Sequence, residues 1–338
     1  MRIGIDAMGG DFAPKEEVKG AITAREYLEP EDRIVLFGIK DAILECLESE
    51  SASDWESFIE IVHCDQVITM NERPVEALRA KPTSSLNMMT QYSRDGRIDA
   101  CVSAGNTGAF VAAAQMNLRR LKQVHRPGIA VVTPTYHGPV VLCDVGANVN
   151  CRPQHLYQYG VMSSVYSRKI CGIENPRVGL LSIGEEDAKG NELVKSTREL
   201  LRNNPNVNFI GNVEGRDLFR GTCDVMVCDG FVGNVVLKLM EGMIGGLLAG
   251  LIKELSNLAG DRIGEMNLAV KTLMTKFDFN EYGGAPLLGV GGICIICHGA
   301  SDSRGFKNAV RVARQFVQQN INDQIMDFLA QGQRITNG

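Results

Sequence analysis

The 338-residue sequence predicts an α/β protein on a mostly parallel sheet. Three observations carry this. Short β-branched runs alternate with helical patterns about every 25 to 40 residues, the spacing of βαβ units. Several runs lack a polar face, as strands covered by helices on both sides do. Glycine, at 36 of 338 residues against a usual share of about 7%, clusters where those runs end.

Taken in order, the expected strands are Arg2–Asp6, Arg33–Gly38, Ile59–Cys64, Ile98–Ser103, Val140–Asp144, Arg177–Ile183, Val207–Gly211, Cys223–Asp229 and Gly292–His298. Ile129–Val132 and Pro139–Leu142, separated by Thr133–Gly138, read as an antiparallel hairpin. Val235–Leu258 and Gly264–Lys276 read as two long helices, giving a helical pair over about 230–277. No repeat and no Pro- or Ser-rich linker interrupts the chain, so residues 1–338 are expected as a single unit from which the pair projects.

Charge and cysteine content narrow the function. Thirty-five Lys and Arg against 40 Asp and Glu leave a net charge of −5, unlike the clustered excess cation of a nucleic-acid binder. Ten cysteines lie scattered inside apolar runs such as Ala100-Cys101-Val102, as reduced thiols used as small hydrophobes do. The amino terminus, Met1-Arg2-Ile3-Gly4-Ile5-Asp6, has no apolar signal-peptide core. The uncharged run Gly242–Ile252 is shorter than the about 20 residues of a spanning helix. A cytoplasmic protein is expected.

Five glycine-bearing turns follow apolar strands: Asp6–Asp11, Ser103–Gly108, Asp144–Asn148, Ile183–Gly190 and Asp229–Asn234. In an open α/β sheet the carboxyl ends of strands line one crevice. Glycine lets backbone N–H groups approach a ligand, and helix amino termini favour anions. A shared anion site is the expectation. The turns match neither G-x-x-x-x-G-K-[ST], nor G-x-G-x-x-G, nor G-x-S-x-G, which disfavours nucleotide, dinucleotide and serine-hydrolase readings. Cys294-Ile295-Ile296-Cys297-His298 matches the c-type haem signature, but it lies within an apolar strand that would send the two cysteines to opposite faces. No metal or cofactor is expected.

The segments Ile3–Asp11, Val102–Ala109, Asp144–Asn148, Asp229–Lys238 and Leu287–Gly299 resemble the bacterial acyl-ACP:phosphate acyltransferases of phospholipid synthesis, with a match over about residues 1 to 330. The resemblance implies transfer of a fatty-acyl group from acyl carrier protein to inorganic phosphate. It also implies a three-layer α/β/α, Rossmann-like fold similar to phosphate acetyltransferases and isopropylmalate dehydrogenases, and a homodimer. It suggests a product passed to a membrane glycerol-3-phosphate acyltransferase, and hence peripheral membrane association. In the family's basic run before two serines, Arg79, Lys81, Ser84 and Ser85 fit, whereas Pro82 departs from the pattern.

Phosphate is already a competent nucleophile, so the chemistry asks for anion binding, placement of a thioester carbonyl and an oxyanion donor. Asn106 and Thr107, opening a helix, are the first candidates for phosphate, with Lys81 and Lys189 as charge partners. Gly9, Gly10 and Ser84 belong to the same expected binding set. Asn148, Asn234 or the Gly233 N–H are candidate oxyanion donors, and His298 a proton donor to the leaving thiolate. Asp6, Asp11, Asp144 and Asp229 are expected to orient Lys and Asn donors. Leu255, Leu258, Ile263 and Met266, flanked by Lys253, Arg262 and Lys271, form an apolar tip suited to a bilayer surface. Arg119, Arg120, Lys122 and Arg126 are candidate carrier-docking cations.

Overall fold

The computed structural model describes residues 1–50, 52, 54–258 and 271–336. Among the described residues eleven strands form one sheet: β1 (Arg2–Asp6), β2 (Arg33–Gly38), β3 (Ile59–His63), β4 (Ala100–Ser103), β5 (Gly128–Thr135), β6 (Gly138–Cys143), β7 (Arg177–Leu181), β8 (Asn208–Val213), β9 (Val225–Val227), β10 (Ala285–Leu288) and β11 (Ile293–Ile296). Their order is β3-β2-β1-β4-β11-β10-β5-β6-β9-β7-β8. The helices are α1 (Lys15–Thr23), α2 (Lys40–Ser49), α3 (Pro74–Ala80), α4 (Ser85–Arg94), α5 (Thr107–Asn117), α6 (Pro153–Ile170), α7 (Glu192–Arg202), α8 (Gly230–Leu258), α9 (Ser303–Gln318) and α10 (Ile321–Thr336).

Strand alternation creates the layers. Ile34 and Leu36 of β2 point into a core shared with Val18 and Ala21 of α1 and with Phe306 and Val310 of α9. Val35 and Phe37 point the other way, among Leu86 and Met89 of α4 and Phe110 of α5. A third core joins α6 and α10 to β5, β6, β7 and β9. Helices thus cover both faces, giving the expected α/β/α arrangement. Cys294 belongs to one face and Cys297 to the other. All ten cysteines are free.

The sheet is mixed in a way that places the site. Strands β3, β2, β1, β4, β11 and β5 run one way; β10, β6, β9, β7 and β8 run the other. Ile296, ending β11, pairs with Ala285, and the β10–β5 register sets Leu287 opposite Ile129; carried along, Ala285 lies level with Val131. Coming from the opposite direction, β6 ends at Cys143 opposite Ala130, with Val227 of β9 beside it. The two parallel sets therefore deliver their carboxyl ends to nearly the same level, and turns from both face one crevice.

Two elements differ from the sequence reading. The hairpin zips further than expected, to Thr135 opposite Gly138, because Pro134 pairs with Pro139 and the flanking residues keep the ladder. Strand β10 is absent from the expectation: Ala285-Pro286-Leu287-Leu288 is short and carries a proline, which rarely sits inside a sheet. It survives there through two-residue pairings with each neighbour.

Candidate active site

A cavity of about 360 Å³ lies in the crevice, against β5, β10 and β11 and between the amino end of α5 and the first three turns of α8. Its apolar wall is Ile129, Val131, Val145, Leu237, Ala285 and Ile296; its polar rim includes Asp11, Thr107, Asn234, Lys238, Glu241 and His298. A side cavity of about 430 Å³ adjoins it, sharing Thr107, Ile129, Val145 and Asn234 and adding Val75, Val111 and Ala147.

Lys238 and His298 form the centre of the rim. Lys238 Nζ lies 3.2 Å from His298 Nε2 and 2.7 Å from a Glu241 carboxylate oxygen. The Ala300 N–H donates to His298 Nδ1 at 3.2 Å, so a neutral imidazole carries its proton on Nε2. In that tautomer the ammonium and this N–H are both donors, and an anion seated beside the pair would accept from both and relieve their repulsion. Close by, Asn106 caps α5 through Oδ1, which accepts from the Ala109 N–H at 3.0 Å. The preceding amides of Thr107 and Gly108 donate no hydrogen bond among the described residues, the arrangement that favours an anion at a helix amino end. Asn234, one turn before Lys238 on α8, also turns towards both cavities.

The turn residues build this rim rather than all lining it. The buried Asp144 carboxylate accepts from the N–H groups of Ile129, Gly146, Ala147 and Asn148 at 2.7–3.1 Å; burial still raises its pKa. Asn148 donates to Pro127 O and Tyr159 Oη, at 2.6 and 2.9 Å. Asp229 caps α8 by accepting from Phe231 and Val232 N–H, each at 3.0 Å. A Cβ on Gly233 would sit 1.9 Å from the Asp144 carbonyl oxygen, and one on Gly230 would sit 2.7 Å from that of Asn148. Glycine there lets α8 start against the 144–148 turn, which aims Asn234 and Lys238. Likewise a Cβ on Gly9 would meet Asp6 and the Gly105 nitrogen, each at 2.7 Å. Asp6 accepts from Ser103 Oγ at 2.8 Å.

Of the expected site residues, the structure brings Asp11, Thr107, Asn234 and His298 to the cavity. Asn106 is adjacent but committed: its Nδ2 faces the carbonyls of Thr69, Met70 and Glu72 at 3.0–3.2 Å, so its side chain moors the 69–72 turn and has no donor left for phosphate. Lys81 is tied to Val67 O and Glu72, both at 2.7 Å, and the buried Ser84 donates to Lys81 O at 2.8 Å; neither lines the cavity. Lys189 is exposed in the turn after β7, two strands beyond β6, its amide donating to Glu186 O. Gly10, Asp144, Asn148, Asp229 and Gly233 support the rim from behind. Leu255 and Leu258 lie in the last described turn of α8, and Ile263 and Met266 fall outside the described residues.

Sequence reasoning missed Lys238, although the signal was present: it follows Asn234 by four residues, so one helix starting at Gly230 puts both on one face. It also missed Glu17. This carboxyl is fully buried under Gly10, and neither oxygen has a hydrogen-bond partner among the described residues. Burial, reinforced by the nearby Asp6, raises its pKa from 4.5 to about 8. A folded-state pKa raised above the unfolded value makes a contribution fully present below about pH 4.5 and lost as pH rises through about 8. At about 1.4 kcal/mol per pH unit the interval is worth up to about 5 kcal/mol. Glu17→Gln is therefore expected to resist urea better than wild type at pH 9 and nearly equally at pH 5. A gap between the two proteins that stays constant with pH would show the carboxyl is solvated.

The fatty acid synthesis protein family matches residues 1–324. Over 322 residues the chain is 50% identical to a phosphate acyltransferase from Heliobacterium modesticaldum, covering 95% of each protein. It is 49% identical to one from Pelotomaculum thermopropionicum, covering 96% of this chain and 94% of that one. The chain belongs to this family of phosphate acyltransferases. It is thus an acyltransferase enzyme of fatty-acid synthesis. Among solved structures, the EutD phosphotransacetylase from Staphylococcus aureus superimposes with a TM-score of 0.61 at 13% identity, covering 94% of each chain. A branched-chain phosphotransacylase from Enterococcus faecalis gives 0.58 at 14%, covering 93% of this chain and 99% of that one. At such identities the likeness shows the fold, which the family shares with these proteins.

Proposed function

We propose that this enzyme transfers a long-chain fatty-acyl group from acyl carrier protein to inorganic phosphate at the Lys238–His298 cavity, forming an acyl phosphate. The observation that carries this reading is the Lys238 ammonium set 3.2 Å from His298 Nε2 at the rim of an apolar cavity. Hydrogenphosphate held by Lys238, His298 Nε2 and the α5 amides attacks the thioester carbonyl through one oxygen. Asn234 donates to the resulting oxyanion. Collapse breaks the C–S bond, and the hydrogenphosphate proton passes to the departing sulfur while the His298 Nε2–H stays hydrogen-bonded to the phosphate, so a neutral thiol and the acyl phosphate dianion leave. Asp11 and Glu241 limit the net positive charge of the rim, leaving a place for a dianion rather than a longer polyanion.

An acetyl group would leave most of the two adjoining cavities empty, whereas their apolar walls suit a fatty chain. Palmitoyl and acetyl thioesters of the same carrier, compared with labelled phosphate, test this. Palmitoyl is expected to be the better donor by at least tenfold in kcat/KM. Preference for the acetyl thioester would assign the enzyme to short-chain phosphate acyl transfer.

The outer face of α8 supports the remaining parts of the reading. Leu239, Met243 and Leu247, at four-residue spacing, are 60%, 54% and 67% exposed, and nothing lies within 4 Å of a Cβ placed on Gly242, Gly246 or Gly250. Gly230–Glu254 is long and apolar enough to cross a membrane, with a mean hydropathy of 1.8. Its first turns instead bury Leu237 and Met240 on the sheet and aim Lys238 at the cavity. We assign the projecting part to homodimer contact and its tip to peripheral attachment on the cytoplasmic membrane surface. There the acyl phosphate would pass to a membrane glycerol-3-phosphate acyltransferase.

A further inference from the structure

A third cavity, of about 790 Å³, lies at the amino end of α6, lined by His125, Arg126, Asn150, Cys151, Arg152, Gln154 and His155. No carboxylate lines it. Arg126 and Arg152 make no ion pair among the described residues. An 18-residue helix with Pro153 in its first turn adds its positive end.

The cavity is built rather than incidental. His155 is only 8% exposed. Its Nδ1 accepts from the Arg152 N–H at 3.2 Å, which puts the proton of the neutral ring on Nε2. That nitrogen has no hydrogen-bond partner among the described residues, so a buried donor is presented to the cavity. On the opposite wall, the loop before β5 is pinned by the buried Gln158, which donates to Gln123 O at 2.6 Å and accepts from the His125 N–H at 2.8 Å. The same loop holds Arg119 and Gln123 in left-handed backbone, with φ of 62° and 73°. Burial, with the charges of Arg126, His125 and Arg152 added, lowers the His155 pKa, which marks the space as electropositive.

This cavity is joined to the reaction centre by one loop. Val145, Gly146 and Ala147 wall the side cavity, and Asn150 to Arg152 wall the basic one. Three residues span at most about 11 Å. Asn148 ties the loop to Pro127, beside Arg126.

We infer that the basic cavity at the amino end of α6 binds the phosphodiester that joins a carrier protein to its acyl-bearing arm, so that the arm runs past residues 145–147 to deliver the thioester. Phosphate chemistry matches an arginine pair, two imidazoles and a helix amino end. Arg120, whose guanidinium donates to His125 O, and the exposed Arg119 and Lys122 of the same loop add positive charge that favours an acidic carrier. This inference rests on the acyl-transfer reading above for its donor, while the anion site itself stands apart from it.

The test uses Arg126→Glu and Arg152→Gln in the full-length enzyme, assayed with two donors. One is the palmitoyl carrier protein, and the other a palmitoyl N-acetylcysteamine thioester, which has no phosphate. Both variants are expected to lose at least tenfold in kcat/KM with the carrier, mainly through KM, and less than twofold with the small thioester. Equal losses with both donors, or none with either, would overturn the assignment. Calorimetric titration with 4′-phosphopantetheine and with unphosphorylated pantetheine separates this from failure of the acyl-transfer reading. Even if wild type turns over neither donor, binding of the phosphorylated compound alone, lost in Arg126→Glu, supports the site. Equal binding of both compounds, or phosphopantetheine binding unchanged in Arg126→Glu, rejects it.

Discussion

Lys238→Ala is expected to lower kcat/KM for acyl transfer to phosphate by about 10²–10³, the usual loss when one preorganised donor to a developing charge is removed. Lys238 is the cation that the structure holds against His298 at the cavity rim, and its second contact, Glu241, fixes its approach. Its side chain is half exposed, so the variant should melt near wild type, and an exposed ion pair such as Lys238–Glu241 contributes little to stability. Lys238→Arg should recover only part of the activity, since a planar guanidinium cannot occupy the place of a compact ammonium beside an imidazole. Lys81→Ala is the informative control. Lys81 is held by Val67 O and Glu72 away from the cavity, so its phosphate KM should stay within about twofold of wild type. Undiminished turnover in Lys238→Ala would remove the central residue of the proposed site.

Among the described glycines, Gly233→Ala should be the most damaging replacement by alanine. The added Cβ would lie 1.9 Å from the Asp144 carbonyl oxygen and 2.9 Å from Cys228 Sγ. Backbone, not a flexible side-chain end, is in the way, and Asp144 is itself fixed by four N–H donors. Relief requires the first turn of α8 to move away from the 144–148 turn, which also displaces Asn234 and Lys238. A loss of about 3 kcal/mol or more in urea unfolding is expected, at the upper end for overpacking, with activity falling further than stability alone explains. Gly242→Ala offers the contrast: nothing lies within 4 Å of its Cβ, and a helix-interior Gly→Ala change typically stabilises by about 0.5–1 kcal/mol. A wild-type midpoint for Gly233→Ala would mean the two turns are not in contact.

Much of the fold could be read from one dimension because its signals are local. Buried strands such as Arg33–Gly38 announce themselves by an unbroken apolar run between turn residues, and the hairpin by its Pro- and Gly-bearing turn. Strand β10 could not, since Pro286 contradicts the strand pattern and only neighbours on both sides hold it. The site was legible by neighbourhood rather than by role. Turn residues such as Asp144, Asn148 and Asp229 carry the composition of an anion loop, yet their hydrogen-bonding groups close on the backbone around them. The same polar atom can cap a turn or hold a ligand, and only its direction distinguishes them.

Sequence by itself therefore determined the α/β class, the family and four of the five turns expected at the crevice, the Ile183–Gly190 turn lining neither cavity, because periodicity, glycine placement and motif order are properties of neighbours along the chain. Tertiary structure alone decided that two oppositely directed sets of strands end at one level, that Lys238 rather than Lys81 or Lys189 meets His298, and that Asn106 serves the backbone. Those outcomes depend on strand direction and helix rotation in space, where a single turn of α8 settles which charge reaches the cavity.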